Sequence, residues 1–354
     1  MPDEPKGGRP RATILGCAGE RLTADEKRFF AEADPLGFVL FRRNCGDRDQ
    51  VRALVAEMRA SVGREDAPVL IDQEGGRVAR LRPPHWRAYP AAAEIAALPD
   101  PLAEEAARLG ARLIAADLAE AGVTMDAMPV LDLPAADADP VIGDRAYGSE
   151  PARVARLGHA VCEGLLAGGV LPIIKHIPGH GRARVDSHRA LPRVEASRAE
   201  LVGWDFAPFR ALAAMPWAMT AHIVFAAIDD TAPATFSRQV IDEVIRDEIG
   251  FDGVLISDDI SMGALAGSLA ERSRRALEAG CDLGLHCTGV LAEMIEIADA
   301  VPPLSVAAEA RVARAEELRR RSRQEFDRQA ATARFAELIA GTAEAIENRT
   351  MPRT

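Results

Sequence analysis

Short apolar runs alternate along this chain with longer stretches in which apolar side chains recur at helical spacing. The runs predict strands at Ala12–Gly16, Gly37–Phe41, Pro68–Asp72, Val123–Met128, Leu171–His176, Trp217–His222, Gly253–Ser257 and Leu283–Cys287. Most are continuously apolar, which suits strands buried on both faces, as parallel sheets require. The periodic stretches predict helices, among them Gln50–Val62 and the alanine-rich Pro101–Ala121, opened by proline and closed before Gly122. Strands and helices in this order predict an α/β fold, a single (β/α)8 TIM barrel, with an open doubly wound sheet as the alternative. Leu304–Glu347, rich in Ala, Glu and Arg, predicts one or two terminal helices packed outside. No repeat or low-complexity linker interrupts the pattern, so one domain over residues 12–354 is expected after a disordered tail at 1–11.

Composition changes this picture little. At 354 residues the length also suits two domains, and 48% hydrophobic with 27% charged residues is an ordinary globular balance. The net charge is -11 with Lys and Arg spread along the chain, so nothing points to nucleic acid. Local cationic side chains still suit a neutral or anionic small molecule. Met1–Arg11 is polar and has no apolar core, so neither a signal peptide nor an anchor is expected there. No window approaches the ~18 consecutive apolar residues of a membrane span. Cys17, Cys45, Cys162, Cys281 and Cys287 are odd in number and without C-x-x-C spacing, which favours free thiols in a reducing compartment and predicts a cytoplasmic location.

The polar residues fall where a barrel places reactive groups, at the carboxyl ends of strands. The third strand runs into Asp72-Gln73-Glu74-Gly75-Gly76-Arg77 and the fourth into Pro129-Val130-Leu131-Asp132. The fifth ends in Lys175-His176, the sixth in His222 and the seventh in Ser257-Asp258-Asp259. Carboxylates, imidazoles and an ammonium thus converge on one rim. Plainer roles exist for several of them. Asp259 suits an N-cap before Ile260-Ser261-Met262, and two adjacent acids need only one cap. His222 also fits a satisfied core histidine, and Cys17 and Cys287 fit small core hydrophobes. His176 and His180 have the separation of a metal pair, but Pro178 and Gly179 forbid the helix that would put them on one face. No metal and no cofactor is expected.

One segment stands apart: Gly179-His180-Gly181-Arg182-Ala183-Arg184-Val185-Asp186-Ser187-His188 gathers proton-handling groups on a stretch too glycine-rich for a helix or a buried strand. With Lys175-His176-Ile177-Pro178 before it, this segment resembles glycoside hydrolase family 3, and within it the bacterial β-N-acetylglucosaminidases of the NagZ type, which serve peptidoglycan recycling. Asp72–Arg77, Val141-Ile142-Gly143-Asp144-Arg145 and Ser257-Asp258-Asp259-Ile260-Ser261-Met262 resemble the family's other signatures, in the family's order, from about Leu15 to Thr288. The resemblance implies a (β/α)8 barrel, hydrolysis with retention, and no metal. It implies Asp258 as nucleophile, His188 as acid and base with Asp186 supporting it, and sugar contacts from Asp72, Arg80, Arg145, Lys175 and His176. Two departures stand out: Arg182-Ala183 replaces a frequent Asp-Thr, and Gly263 sits where a larger residue is common.

That chemistry suits the residues. Asp258 at a rigid strand end is placed to meet an anomeric carbon. A histidine, with an unperturbed pKa near about 6.5, suits protonation of a leaving oxygen and later deprotonation of water. Asp186 precedes His188 by two residues, so extended backbone points both side chains the same way. The carboxylate then fixes the tautomer and favours the imidazolium. Gly179 and Gly181 are expected to let the segment swing over a bound sugar. The implied partner is a muropeptide or other N-acetylglucosaminide, as a small molecule. A family 3 β-glucosidase or β-xylosidase is the rival within enzymes, though those lack Asp-Ser-His. A sugar-binding barrel without catalysis is the rival outside them.

Overall fold

The structure, a computed structural model, describes residues 8–350, with side chains described to residue 340. Among the described residues ten strands form: β1 (Arg11–Leu15), β2 (Pro35–Leu40), β3 (Val69–Ile71), β4 (Met125–Asp126), β5 (Leu171–Ile177), β6 (Arg193–Val194), β7 (Trp217–Thr220), β8 (Val224–Phe225), β9 (Val254–Asp259) and β10 (Leu283–His286). Eight close into a barrel in the order β1-β2-β3-β4-β5-β7-β9-β10, every pair parallel. All seven residues of β5 are buried, Lys175 and His176 together with the five apolar ones, each Ile contributing about 1.5–3 kcal/mol by leaving water.

The expected strands are all present: β3, β4, β7 and β10 are shorter than their apolar runs, β2, β5 and β9 are longer, and β1 is shifted by one residue. β4 has only two ladder residues, because the chain beyond it turns away through Pro129 and rejoins β5 by single bonds, Leu131 N–H to Lys175 O at 2.7 Å and Lys175 N–H to Pro129 O at 3.1 Å. Arg11, assigned by the sequence to the disordered tail, instead opens β1. Its N–H donates to Asp34 O at 2.8 Å and its guanidinium to Val301 O at 2.7 Å, which ties the strand start to two neighbours. Residues 1–7 of that tail lie outside the described residues.

The helices form for local reasons legible in the chain. Asp47 caps the helix Arg48–Val62 by accepting from the N–H groups of Asp49 and Gln50 at 3.0 and 2.9 Å, and Gly63 ends it at φ 67°. Asp100–Glu120 packs its alanine face on Pro151–Ala167, where a Cβ on Gly164 would meet Arg108 O at 2.3 Å, so only glycine permits that approach. Leu304–Glu347 resolves into two helices, Val306–Ser322 and Arg328–Thr350, the second laying Phe335 against Gly110. Among the described residues the main hydrophobic core draws on side chains from Ala12 to Leu338, and a small second cluster joins Val130, Ile142 and Ala146.

A small parallel sheet, β6 on β8, was not anticipated. It lies beyond the carboxyl ends of β5 and β7 and pins the far end of the Gly179–His188 segment, with Val224 N–H donating to Pro192 O at 3.0 Å.

Candidate active site

Two carboxylates and three cations interlock at the ends of β3 and β5. Lys175, buried on β5, places its Nζ 2.9 Å from Asp72 Oδ1 and 2.7 Å from Glu74 Oε1. Arg80 Nη2 lies 2.8 Å from Asp72 Oδ2, and its guanidinium stacks 4.7 Å from the Phe41 ring. Arg145 grips both oxygens of Glu74, at 2.8 and 2.7 Å, in the paired geometry a guanidinium favours. Gln73 carries the turn: its side-chain oxygen accepts from Arg80 N–H and Leu81 N–H at 2.8 and 2.9 Å. Burial alone would push both carboxyls up, but Lys175 with Arg80 holds Asp72 far below the usual range. Lys175 with Arg145 brings Glu74 to about 2. Burial would strip the Lys175 proton; Asp72 and Glu74 reverse that and hold the ammonium charged.

Beside this cluster, Asp132 collects two histidines. His176 Nδ1 lies 2.7 Å from Asp132 Oδ2, while Oδ1 accepts the backbone N–H groups of His176 and His180 at 3.2 and 2.6 Å. Burial, with His176 close by, lowers His180 to about 4, so its ring is neutral near pH 7. Its Nε2 meets Ser187 Oγ at 3.0 Å. The separation that suggested a metal pair instead serves one buried acid.

Asp258, half-buried, occupies the penultimate position of β9, and its Oδ1 accepts Asp259 N–H at 2.8 Å. Burial raises its carboxyl, but His176 and His222 more than compensate and the net shift is downward, so it is ionised at neutral pH. His222 is fully buried with both nitrogens paired, Nδ1 to Thr235 Oγ1 at 2.7 Å and Nε2 donating to Asp259 O at 3.0 Å. That is the satisfied histidine, and it braces the strand end. Asp259 caps, but not a helix: it accepts from Ser261 N–H at 3.0 Å and Ser261 Oγ–H at 2.7 Å, holding a turn. The next helix begins only at Leu269, capped by Ser268.

Asp186 and His188 pair, but across a turn and not along the extended backbone expected from their spacing: Arg189 N–H and Ala190 N–H both donate to Asp186 O, at 2.9 and 3.1 Å. Asp186 Oδ1 lies 2.8 Å from His188 Nδ1 and accepts His188 N–H at 2.9 Å. The His188 side chain is 64% exposed, whereas Lys175 and Glu74 of the ion cluster are buried. The supporting segment is tethered more firmly than its glycines suggest. Ser187 O and His188 O accept from Ala264 N–H and Gly263 N–H at 3.1 and 3.2 Å. Arg182 is committed to Asp205 at 2.7 Å and Arg184 to Asp137 at 2.5 Å. A Cβ on Gly181 would stand 2.0 Å from Leu133 O, so this glycine serves close packing.

The structure thus joins Asp72, Arg80, Arg145 and Lys175 in one network. It brings His176 within electrostatic reach of Asp258, and links the Asp186–His188 dyad through Ser187 and His180 to Asp132. Glu74, Asp132, His180 and Ser187 escaped the sequence-based site. Each stood in a quoted motif, but its partners are brought up by folding.

The family model described as glycosyl hydrolase family 3 N terminal domain matches residues 15–320. A β-hexosaminidase of Alkalilimnicola ehrlichii is 41% identical over 281 residues, covering 77% of this chain and 80% of its own. NagZ from Neisseria gonorrhoeae, solved in complex with N-trifluoroacetyl-D-glucosamine, superposes with a TM-score of 0.83 at 34% identity, over 94% of this chain and 98% of that one. A family 3 β-N-acetylglucosaminidase from Paenibacillus superposes at 0.82 with 31% identity, covering 94% of this chain and 67% of that one.

Proposed function

The chain belongs to glycosyl hydrolase family 3, as a β-N-acetylglucosaminidase, and on that premise we propose that it is a retaining exo-enzyme that removes terminal β-1,4-linked N-acetylglucosamine from 1,6-anhydro-muropeptides in peptidoglycan recycling. Asp258 is the nucleophile. Its ionised oxygen attacks the anomeric carbon as the glycosidic bond breaks, and the leaving oxygen takes a proton from His188. Water then attacks the same carbon from the vacated face and gives a proton to His188, and Asp258 departs as carboxylate. Asp186 orients the imidazole and stabilises its charged form. Asp72, Arg80, Arg145, Lys175 and His176 hold the sugar. The network supplies the acceptors and charged donors that hydroxyl recognition needs, pre-ordered by their mutual ion pairs.

The observation that carries this reading is Asp258. It is a carboxylate at the end of β9, and the chain that follows it hydrogen-bonds, through Gly263 and Ala264, to the loop on which Asp186 pairs with His188. The sugar follows from the N-acyl glucosamine bound by the gonococcal relative. The anhydro-muropeptide and the cytoplasmic setting follow from the family resemblance and from five buried free thiols. Among the described residues no helix is long and apolar enough to cross a membrane.

The deciding assay compares kcat/KM for matched aryl β-N-acetylglucosaminide and β-glucoside. A pocket that encloses the acetamido group should favour the former by at least about tenfold to a hundredfold. Equal or faster glucoside cleavage overturns the reading in favour of a β-glucosidase; no turnover of either favours a sugar-binding barrel.

A further inference from the structure

One acid of the barrel remains unexplained. Asp126 ends β4 and is fully buried. Its Oδ1 accepts the Gln73 backbone N–H at 2.9 Å, and its Oδ2 is buried with no hydrogen-bond partner. No cation is bonded to it, and the nearby Lys175 ammonium is bonded to Asp72 and Glu74 instead. A bare carboxylate in such a place is costly, whereas a neutral acid is tolerated. Gln73 is the residue that Asp126 holds, and Gln73 in turn fastens Arg80 and Leu81 through its side chain. Asp72 and Glu74 flank it in sequence.

We propose that Asp126 is a positioning residue, kept as the neutral acid, that sets the Asp72-Gln73-Glu74 turn and with it the sugar-holding ion cluster. The titratable groups facing it are Asp72 and Glu74 from the end of β3, Lys175 from β5 and the Tyr147 phenol. Burial is the main cause that pushes the Asp126 carboxyl up, to about 8. The Gln73 N–H and Lys175 oppose the rise, and Asp72 and Glu74 add to it. Ionisation above that pH puts a third carboxylate beside two that already share Lys175, and loosens the turn. The sign for stability follows. The folded acid keeps its proton where the unfolded chain has lost it, so its presence destabilises the fold increasingly between about pH 4 and 8.

The role in sugar binding rests on the proposed function; the stability consequence does not. The test therefore has two readouts on the full chain, unsubstituted and as Asp126→Asn, which keeps an acceptor for Gln73 but cannot ionise. The Tm difference between the two proteins should grow in favour of the Asn form by at least about 4 °C from pH 4.5 to 8. A difference that does not change with pH overturns the proposal, whatever the enzyme cleaves. With aryl β-N-acetylglucosaminide, KM of the unsubstituted chain should rise above pH 8 while that of Asp126→Asn stays level. An identical rise in both also overturns it. Asp126→Ala, which removes the acceptor, should raise KM about tenfold at pH 6 with a smaller effect on kcat, as loss of one positioning hydrogen bond predicts. Failure of the unsubstituted chain to cleave the substrate refutes the functional reading and leaves the Tm arm to decide this one.

Discussion

Gly263→Ala perturbs the loop that carries the proposed acid and base without touching any group of the proposed chemistry. A Cβ at this position would stand 2.8 Å from His188 O and 3.2 Å from Arg189 O, whereas ordinary contact begins at 3.4 Å. Relief therefore requires the His188 backbone to retreat by roughly 0.6 Å, the gap between 2.8 and 3.4 Å. It also weakens the Gly263 N–H to His188 O bond, now 3.2 Å, worth about 1 kcal/mol. The stability cost should be small, about 1–2 kcal/mol, because the contact lies at the rim and the loop can move outward. The catalytic cost should be larger. A misplacement of about 1 Å costs about a hundredfold, so half of that predicts about a tenfold fall in kcat. The fall should concentrate on substrates with poor leaving groups, which depend on proton donation by His188, and nearly vanish for nitrophenyl glycosides. Steady-state kinetics on an aryl series of graded leaving-group acidity, with Tm as the control, reads both effects. Equal rates for the variant and the unsubstituted chain across the series would refute this placement of the loop.

Other consequences follow from the charged and thiol groups. Glu74 is held at about 2 against an ordinary 4.5, equivalent to about 3 kcal/mol. Because the folded value is depressed, that contribution is whole above about pH 4.5 and lost as pH falls towards 2. Glu74→Gln should flatten this acid limb in Tm measured against pH; an unchanged limb contradicts the assignment. Burial pushes the thiols of Cys17, Cys45 and Cys281 up to about 12, so the native chain should not react with a thiol-titrating disulfide at pH 8. All five cysteines should titrate after unfolding, and rapid reaction of the native chain would contradict their burial.

The barrel was legible because its strands are continuously apolar and its helices carry their own stops, as at Asp47 and Gly63. Asp72, Lys175 and Asp258 were legible for a related reason: each is a charged residue interrupting or ending an apolar strand. Glu74 was not, because what makes it part of the cluster is Arg145 and Lys175, 71 residues away by one bond and brought up by β5 in the other. Asp132 likewise gains its meaning only from His176 and His180. The glycines misled in one respect. Composition alone signals freedom at Gly181, whereas the fold uses its missing side chain to seat the loop on Leu133. The short sheet of β6 and β8 has two residues per strand, too few for any periodicity to register. Asp259 shows the limit of capping rules, since the acid caps a turn several residues before the helix it was expected to start.

The assignment of Asp258 as nucleophile is tested most directly by trapping the glycosyl-enzyme. A 5-fluoro N-acetylglucosamine-type inhibitor, which keeps the 2-acetamido group, should add one sugar to the intact chain, and peptide mapping should place it on Asp258. A label on Asp259, or on no residue while the inhibitor is turned over, would contradict the account.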